Sequence, residues 1–542
     1  AAWAQGRGGG LLHRRRTGLQ GPFLVYWGRM CFEKVHSQNY GVRSGAQPRR
    51  QSALHRCGGR SFRCWRRAGF LMWDIVEYFA ILAVHALSWV AVGHALLTKH
   101  DPRAALGWTV TALLLPLVGP LLYASFGISR AESRATRIMQ RQAPLEPDYA
   151  HPPLPRKPPG PVPENIVSME RIGRVLTAQH LSVGDAITPL HNGDEAYPAM
   201  LQAINAAQDQ VYLSTYIFNA GASATAFCEA LAAAAARGVD VRLLVDGVGQ
   251  LYSLRRPWKK LARQGVRVAV FLPPRLLPPN LSINLRNHRK LLVCDQTGFT
   301  GGMNIADENL ASGKRGYVQD VHFCCQGPIV DQLRRAFLLD WGFCTGQYSP
   351  LPPPSTKARG NSRCRIIMDG PGSDDDPLSD IFCGVINAAR HSVRVMTPYF
   401  LPSHGLVAAL RSAGQRGVDV RIVLPAKNNL FYVHWATFRL LPTLLEAGVR
   451  VWYQPPPFAH TKLLAVDGYY SQIGSSNWDA RSLRLNFELN MEIFDAKAHD
   501  AIAAHIDAAI NRGTECTTHD LRRFSLPKRL RNAACWIFSP YL

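Results

Sequence analysis

Two eight-residue strings share one rare pattern. His288-Arg289-Lys290-Leu291-Leu292-Val293-Cys294-Asp295 and His460-Thr461-Lys462-Leu463-Leu464-Ala465-Val466-Asp467 both read H-x-K-x4-D. Each is followed by a Gly-containing turn ending in Asn, Gly301-Gly302-Met303-Asn304 and Gly474-Ser475-Ser476-Asn477. In a strand, residues i and i+2 share a face, so His288 points with Lys290 and His460 with Lys462. Asp295 and Asp467 lie seven positions after their histidines, on the opposite face of an ideal strand. Within the catalytic motif they are expected to act as anchors at the strand ends. A single H-x-K would be read as a structural histidine in a strand; duplication in matched context favours a composite site. One imidazole can attack phosphorus while the other protonates the leaving alkoxide. Lys290 and Lys462 would offset charge developing on the phosphoryl oxygens, and Asn304 and Asn477 would donate amide hydrogens to the bound substrate. This chemistry breaks and remakes a phosphodiester and calls for no metal and no cofactor.

Each working imidazole needs an orienting group on its other nitrogen. Asp320 lies 32 residues after His288, and Glu488 lies 28 after His460. Both sit in apolar, strand-like settings where an unpaired acid would be costly. They are the expected imidazole partners, with a buried ion pair to Arg as the competing reading.

The elements that must position these groups come in two copies. Ala203–Ala207 and Val211–Phe218 line up with Val385–Ala389 and Val393–Phe400, at an offset of 182. Arg-Gly-Val-Asp-Val-Arg occurs at 237–242 and 416–421, an offset of 179, and the H-x-K-x4-D pair is offset by 172. A slowly drifting offset means duplicated domains with small indels. Apolar runs such as Val239–Val245 and Val418–Leu424 follow Ala-rich, helix-like segments with Gly at the helix C-terminus, which predicts an α/β class with a sheet at its centre. The two half-sites would close one pocket about a pseudo-twofold axis. Residues 171–349 and 363–542 are the expected domains, joined by a linker at 350–362.

Upstream, Ile75–Leu97 is a long apolar run and Ala104–Gly127 carries no charged residue. Each is long enough for a bilayer-spanning helix of about 20 residues. With the short loop between them they predict a transmembrane hairpin within residues 72–130, helices about 75–97 and 104–127; a pair of buried core helices is the alternative. Arg130, Arg134, Arg137 and Arg141 follow the hairpin, against Lys99 and Arg103 in its loop, a bias that puts both ends and the downstream domains in the cytoplasm. A linker over 131–170, Pro-rich at Pro144–Pro163, reads as an extended spacer. Residues 1–71 hold 13 Arg and Lys34 against one acid, Glu33, more than half of the net charge of +24. An over-extended reading frame with its natural start near Met72 is expected there, with an organellar transit peptide as the competing view. The 12 cysteines form no C-x-x-C pair, which argues against a zinc site or a disulfide framework and fits a reduced compartment. Cys294, inside the first motif, reads as a small apolar strand residue rather than a reactive thiol.

These residues resemble the phospholipase D superfamily, whose signature is H-x-K-x4-D followed by G-[SG]-x-N. More narrowly, the region from Met72 to Leu542 is similar to the bacterial cardiolipin synthases. The similarity includes Leu96–Arg103, Thr215–Phe218, Asn287–Lys290, Gly301–Ala306, Thr397–Phe400 and Arg481–Glu488. It implies two phospholipase D-like domains after a transmembrane hairpin, in a multi-pass enzyme of the bacterial inner (cytoplasmic) membrane. It further implies that one phosphatidylglycerol forms a phosphatidyl-histidine and releases glycerol, and that a second phosphatidylglycerol resolves it to cardiolipin. By analogy His288 is the nucleophile and His460 the acid and then the base; the near-symmetry of the sequence leaves the reverse assignment open. The expected partners are phosphatidylglycerol and anionic membrane lipid, and no nucleic acid. Two features depart from the family pattern. Five residues separate Asp295 from Gly301, against six between Asp467 and Gly474, which is expected to shift Asn304; and Gly302 stands where Ser is usual in the superfamily. Hydrolysis, transfer to another alcohol, a nuclease of the same superfamily and a membrane scaffold with a decayed site are the alternatives. The membrane runs weigh against a nuclease, and the intact His and Lys in both copies weigh against a scaffold.

Overall fold

A computed structural model of the chain describes residues 61–99, 101–128, 163–253, 255–273, 285–312, 316–349, 357–371 and 376–539. The expectations for residues 1–60, for Arg130–Arg141, for the Pro-rich spacer up to residue 162 and for the gap at Pro350–Pro354 lie outside them. The chain divides into two units, Ala1–Val90 and Ala91–Leu542.

Helix α1 (Ser61–Thr98) runs without a break through the boundary expected at Met72. Its stretch Ile75–Thr98 is, among the described residues, the one helical segment long and apolar enough to cross a bilayer. The second arm differs from the expected span over 104–127. Helix α2 (Pro102–Leu114) stops after 13 residues, about 20 Å where a bilayer core needs about 30 Å. Pro116 explains the stop: it lacks the N–H that would continue the ladder, and it drives Leu115 to φ −124°, ψ 74°. The chain then turns through Val118–Leu122 and a π-helical turn, Tyr123–Gly127. A side chain on Gly119 would strike the Thr111 carbonyl, so only glycine allows this fold-back. Tyr123 is buried by it, with its hydroxyl 2.7 Å from His94 Nδ1 and its ring edge-on to Trp108.

Helix α3 (Glu164–Thr177) begins inside the stretch expected as linker and buries Ile166 and Met169 in the core of the second half. The first half follows as β1 (Ser182–His191), α4 (Asn192–Ala206), β2 (Gln210–Thr215), α5 (Ala222–Ala236), β3 (Asp240–Asp246), β4 (Arg267–Phe271), β5 (Leu291–Cys294), β6 (Thr297–Gly301), β7 (Val321–Gln326) and α6 (Ile329–Thr345). The second half repeats it as β8 (Ser362–Asp369), α7 (Pro377–Ala388), β9 (Ser392–Met396), α8 (His404–Gln415), β10 (Asp419–Pro425), α9 (Phe431–Leu445), β11 (Arg450–Gln454), β12 (Leu463–Val466), β13 (Tyr470–Gly474), β14 (Asn486–Phe494) and α10 (Ala496–Arg512). Strand β15 (Thr514–Cys516) and helix α11 (Leu526–Ile537) complete the chain.

These fifteen strands join one sheet in the order β15-β11-β10-β9-β12-β13-β14-β8-β1-β7-β6-β5-β2-β3-β4, with the two-residue strand Arg286–Asn287 added beside β14 as a sixteenth. Outward from the antiparallel β1–β8 pair, where Ser182 faces Cys364, the two halves run in matching order. That symmetry is the pseudo-twofold. The β2-β3-β4 and β9-β10-β11 runs are parallel, as helical crossovers require. One face of the sheet is covered in both halves by α6 and α10, through Leu333, Phe337, Ile502 and Ile506. The opposite face carries α4 and α5 in the first half and α3, α7 and α8 in the second. A buried ion network fixes α3: Arg365 donates to Glu492 Oε2 at 2.7 and 2.5 Å and to the Glu170 carbonyl at 3.1 Å.

Candidate active site

The two motifs meet because each leaves its own half just before its histidine. Arg286–Asn287 pairs in parallel with Asn486–Phe487 at the start of β14. Phe458–Ala459 does the same with Val318–Gln319, ahead of β7. The His288 N–H donates to the Phe487 carbonyl (2.9 Å) and the His460 N–H to the Gln319 carbonyl (2.8 Å). Each histidine is thereby set beside the next residue of the opposite half, Glu488 after Phe487 and Asp320 after Gln319.

The imidazole–carboxylate pairs are consequently exchanged relative to chain proximity. His288 Nδ1 lies 3.0 Å from Glu488 Oε2, and His460 Nδ1 lies 3.1 Å from Asp320 Oδ2. Both Nδ1 atoms are occupied, which leaves Nε2 as the nitrogen each ring can offer to a substrate. The Lys290 ammonium donates to the His288 carbonyl at 2.6 Å, and Lys462 Nζ stands 2.9 and 3.0 Å from the two ring nitrogens of His460. Expected and found, the His and Lys of each motif share a side.

Burial dominates the electrostatics. It pushes both imidazoles down to about 4, against the pull of Glu488 on His288 and of Asp320 on His460; Lys290 and Lys462 add to the depression. The Lys290 ammonium is pushed down to about 7 and Lys462 to about 8, again by burial. Burial alone would raise Glu488 and Asp320, but the neighbouring imidazoles and ammonium groups hold both carboxyls below their ordinary range. The site thus keeps neutral imidazoles, ionised carboxylates and ammonium groups poised near neutral pH.

The two pairs are not equivalent. Glu488 Oε2 also accepts from Ser475 Oγ (2.5 Å), and Oε1 accepts from Asn486 Nδ2 (3.0 Å). At the matching position Gly302 has no room for a side chain: a Cβ there would lie 2.6 and 2.8 Å from the Asp320 carboxylate oxygens. The departure at Gly302 is therefore the steric counterpart of Asp320.

The shortened first turn leaves Asn304 where the sheet register requires it. Cys294 pairs with Thr297 and Val466 with Tyr470, so the missing residue is absorbed in the turn itself. Beyond it Leu291 faces Thr300 just as Leu463 faces Ile473. The Asn304 side-chain oxygen accepts from the Ile217 N–H (3.2 Å), and its carbonyl accepts from the Tyr197 hydroxyl (2.7 Å). Asn477 is buried and donates from Nδ2 to Ser482 Oγ (3.0 Å). Asp295 accepts from the N–H groups of Gln208 (2.8 Å), Asp209 (3.1 Å) and Gln210 (2.9 Å). Asp467 accepts in the same way from Arg390, His391 and Ser392, at 2.7, 2.8 and 2.8 Å. Both carboxylates thus tie the motif hairpin to the turn before β2 or β9, away from the imidazoles.

Several neighbours escaped the sequence reading. Tyr216 packs edge-on to His288 at 5.0 Å between ring centroids, and Tyr399 to His460 at 6.3 Å. Arg286 donates to the Tyr216 hydroxyl at 2.7 Å. Arg481 is held below the usual guanidinium range by burial and by Arg286 nearby, so two cations converge near Tyr216. Arg289, the variable residue of the first motif, clamps the crossing: it donates to the Glu488 carbonyl (2.9 Å) and the Asp369 carbonyl (2.7 Å), and pairs with Asp340. Tyr216, Tyr399 and Arg481 lie within strings that resemble the family and Arg286 borders one, but no role attached to them there.

Comparison with known proteins agrees with this geometry. Residues 200–341 and 382–510 match the family model described as cardiolipin synthase, PLD-like domain, and residues 86–127 match a phospholipase D-nuclease N-terminal model. The chain is 33% identical to the major cardiolipin synthase ClsA of Bacillus subtilis over 364 residues, covering 66% of this chain and 76% of that protein. It is 29% identical to a cardiolipin synthase of Halalkalibacterium halodurans over 476 residues, covering 86% of this chain and 94% of that one. In fold it is similar to the crystal structure of a phosphatidylserine synthase of Haemophilus influenzae Rd KW20, with a TM-score of 0.52 at 16% identity over 69% of this chain and 100% of that one.

Proposed function

Given that the chain belongs to the cardiolipin synthase family with phospholipase D-like domains, we propose that it transfers a phosphatidyl group from one phosphatidylglycerol to another. The observation that carries this reading is the convergence of two carboxylate-supported imidazoles and two buried ammonium groups on one site. In the first step His288 Nε2 attacks phosphorus. The bond to the glycerol headgroup breaks, and His460 gives its proton to the departing alkoxide. Glycerol leaves, and a phosphatidyl-His288 remains. In the second step the headgroup hydroxyl of another phosphatidylglycerol gives its proton to His460 and attacks phosphorus. The P–N bond breaks, releasing cardiolipin and the neutral His288. Lys290 and Lys462 carry the charge that grows on the phosphoryl oxygens, and Asn304 and Asn477 hold the group in register. An imidazole held down to about 4 is neutral at pH 7 and free to attack. A bound phosphate anion favours the protonated form of the other, as general acid catalysis requires.

The same reading places the enzyme in the bacterial cytoplasmic membrane, anchored by the apolar stretch Ile75–Thr98 of α1. Arg130, Arg134, Arg137 and Arg141 then keep the catalytic body cytoplasmic. The test is to give the purified chain phosphatidylglycerol alone, without divalent metal or nucleotide. Cardiolipin with equimolar glycerol supports transfer. Phosphatidic acid as the sole product would mean hydrolysis, and a requirement for CDP-diacylglycerol would refute the mechanism.

A further inference from the structure

The last helix, α11, leaves an apolar face uncovered. Leu526, Leu530, Ala534 and Ile537 recur at helical spacing on one face, and that face is the exposed one: Leu530 is 61% and Ile537 66% accessible. The inward face carries Cys535 and Trp536 together with polar residues. Asn532 is buried, the Arg531 guanidinium sits 3.9 Å over the Trp435 ring, and Lys528 Nζ sits 3.6 Å over Phe524. Packing against α9 therefore leaves a second apolar stripe of the helix uncovered. The segment Leu521–Phe538 holds Arg522, Arg523, Lys528, Arg529 and Arg531 and no acid. Two further large side chains, Phe538 at the helix end and Phe431 at the start of α9, are exposed beside it.

We propose that the outward face of α11, with Phe431, is an in-plane docking surface for a bilayer rich in anionic headgroups. The apolar stripe would enter the acyl boundary, while the exposed Arg522, Arg523 and Arg529 reach headgroup phosphates. Charge complementarity selects this occupant: five cations and no acid beside an exposed apolar stripe fit an anionic lipid surface. The surface is also tied to the catalytic site. Cys535 and Trp536 of α11 pack with Val433 and Ala436 of α9 in one cluster that includes Tyr399, whose ring abuts His460. Docking would therefore set the substrate-bearing surface beside the site. The surface itself stands without the phosphatidyl-transfer reading.

The test places an environment-sensitive fluorescent amino acid at Leu530, or at the exposed Glu446 as a reference, in the full chain reconstituted into liposomes. Mixed phosphatidylcholine and phosphatidylserine should give a blue-shifted Leu530 signal, quenched by doxyl-labelled lipid and shielded from iodide, with Glu446 the reverse. Iodide quenching at both sites would overturn the proposal. So would shielding of Leu530 from both quenchers, which would mean that another protein surface covers it. None of these readouts depends on turnover. Separately, Leu530→Asp with Ile537→Asp should raise the vesicle concentration needed for half-maximal turnover about tenfold or more. Turnover of a short-chain, monomeric phosphatidylglycerol should not change. Equal loss on both substrates, or on neither, would refute the docking role.

Discussion

The exchange of carboxylates makes Glu488→Gln a sharp test of which groups act together. Glutamine keeps the shape of the side chain and can still meet Ser475 and Asn486, so the change removes charge with little loss of packing. His288 Nδ1 and Glu488 Oε2 are 3.0 Å apart. Two unit charges at that distance and an effective dielectric near 20 attract by about 5 kcal/mol; a charge-assisted hydrogen bond taken alone is worth about 2 kcal/mol. These bound the loss of imidazolium stabilisation, and convert to a fall in kcat/KM of about 30-fold to 5000-fold. Because Glu488 favours the protonated ring, its loss should also lower the His288 pKa below its present value of about 4. The assay is the pH profile of cardiolipin formation, together with trapping of any phosphatidyl-enzyme in acid-quenched reactions. Glu488→Gln should group with His288→Asn in the step that fails, and Asp320→Asn with His460→Asn. A loss below tenfold would refute the reasoning, as would grouping by chain half, with Asp320→Asn mimicking His288→Asn.

His288→Ala and His460→Ala should each abolish turnover, and normal cardiolipin output from either would end the two-histidine scheme. Asp295→Asn should leave kcat of the surviving protein near that of the parent but cost about 2–4 kcal/mol of stability, read by thermal or denaturant unfolding, because a carboxylate holding three backbone N–H groups is replaced by a weaker acceptor. Activity should fall as pH rises through about 7 to 8, where Lys290 and Lys462 lose their protons; a rate still climbing above pH 9 would contradict this. Lys290→Met should be inactive yet more stable than the parent at pH 6. The folded-state pKa of Lys290 lies below its unfolded value, so the unfolded chain binds more protons between pH 7 and about 10 and stability from this group rises across that window. Below pH 7 the full cost of burying the charge applies, and the methionine gain should be largest there.

The candidate site groups stand out in the sequence by residue type and spacing, although His288–Lys290 and His460–Lys462 lie between strand segments rather than within one strand. The duplicated α/β order was likewise visible in drifting offsets. The carboxylate pairing was not, because it depends on two-residue segments, Arg286–Asn287 and Phe458–Ala459, that leave one half of the sheet to pair with the other. Nothing local in those dipeptides marks the crossing. Apolarity over 104–127 does not show the break in the second arm, which Pro116, lacking an N–H, imposes at the end of α2. Helix α3 was hidden by its Pro-rich approach, although Ile166 and Met169 already had core spacing. Tyr216 and Tyr399 act through where they sit, a property that sequence alone cannot express.

The unequal surroundings of the two imidazoles have a further meaning for descent. Two separate copies of a half-length chain, paired about a true twofold, would be obliged to carry identical sites, and any change favouring attack would equally burden proton transfer. A covalent fusion lifts that obligation. Ser475 with Glu488 and Gly302 with Asp320 are two different arrangements at matching positions, which two identical chains could not hold. The departure from symmetry thus gives the two imidazoles different surroundings within one continuous sheet.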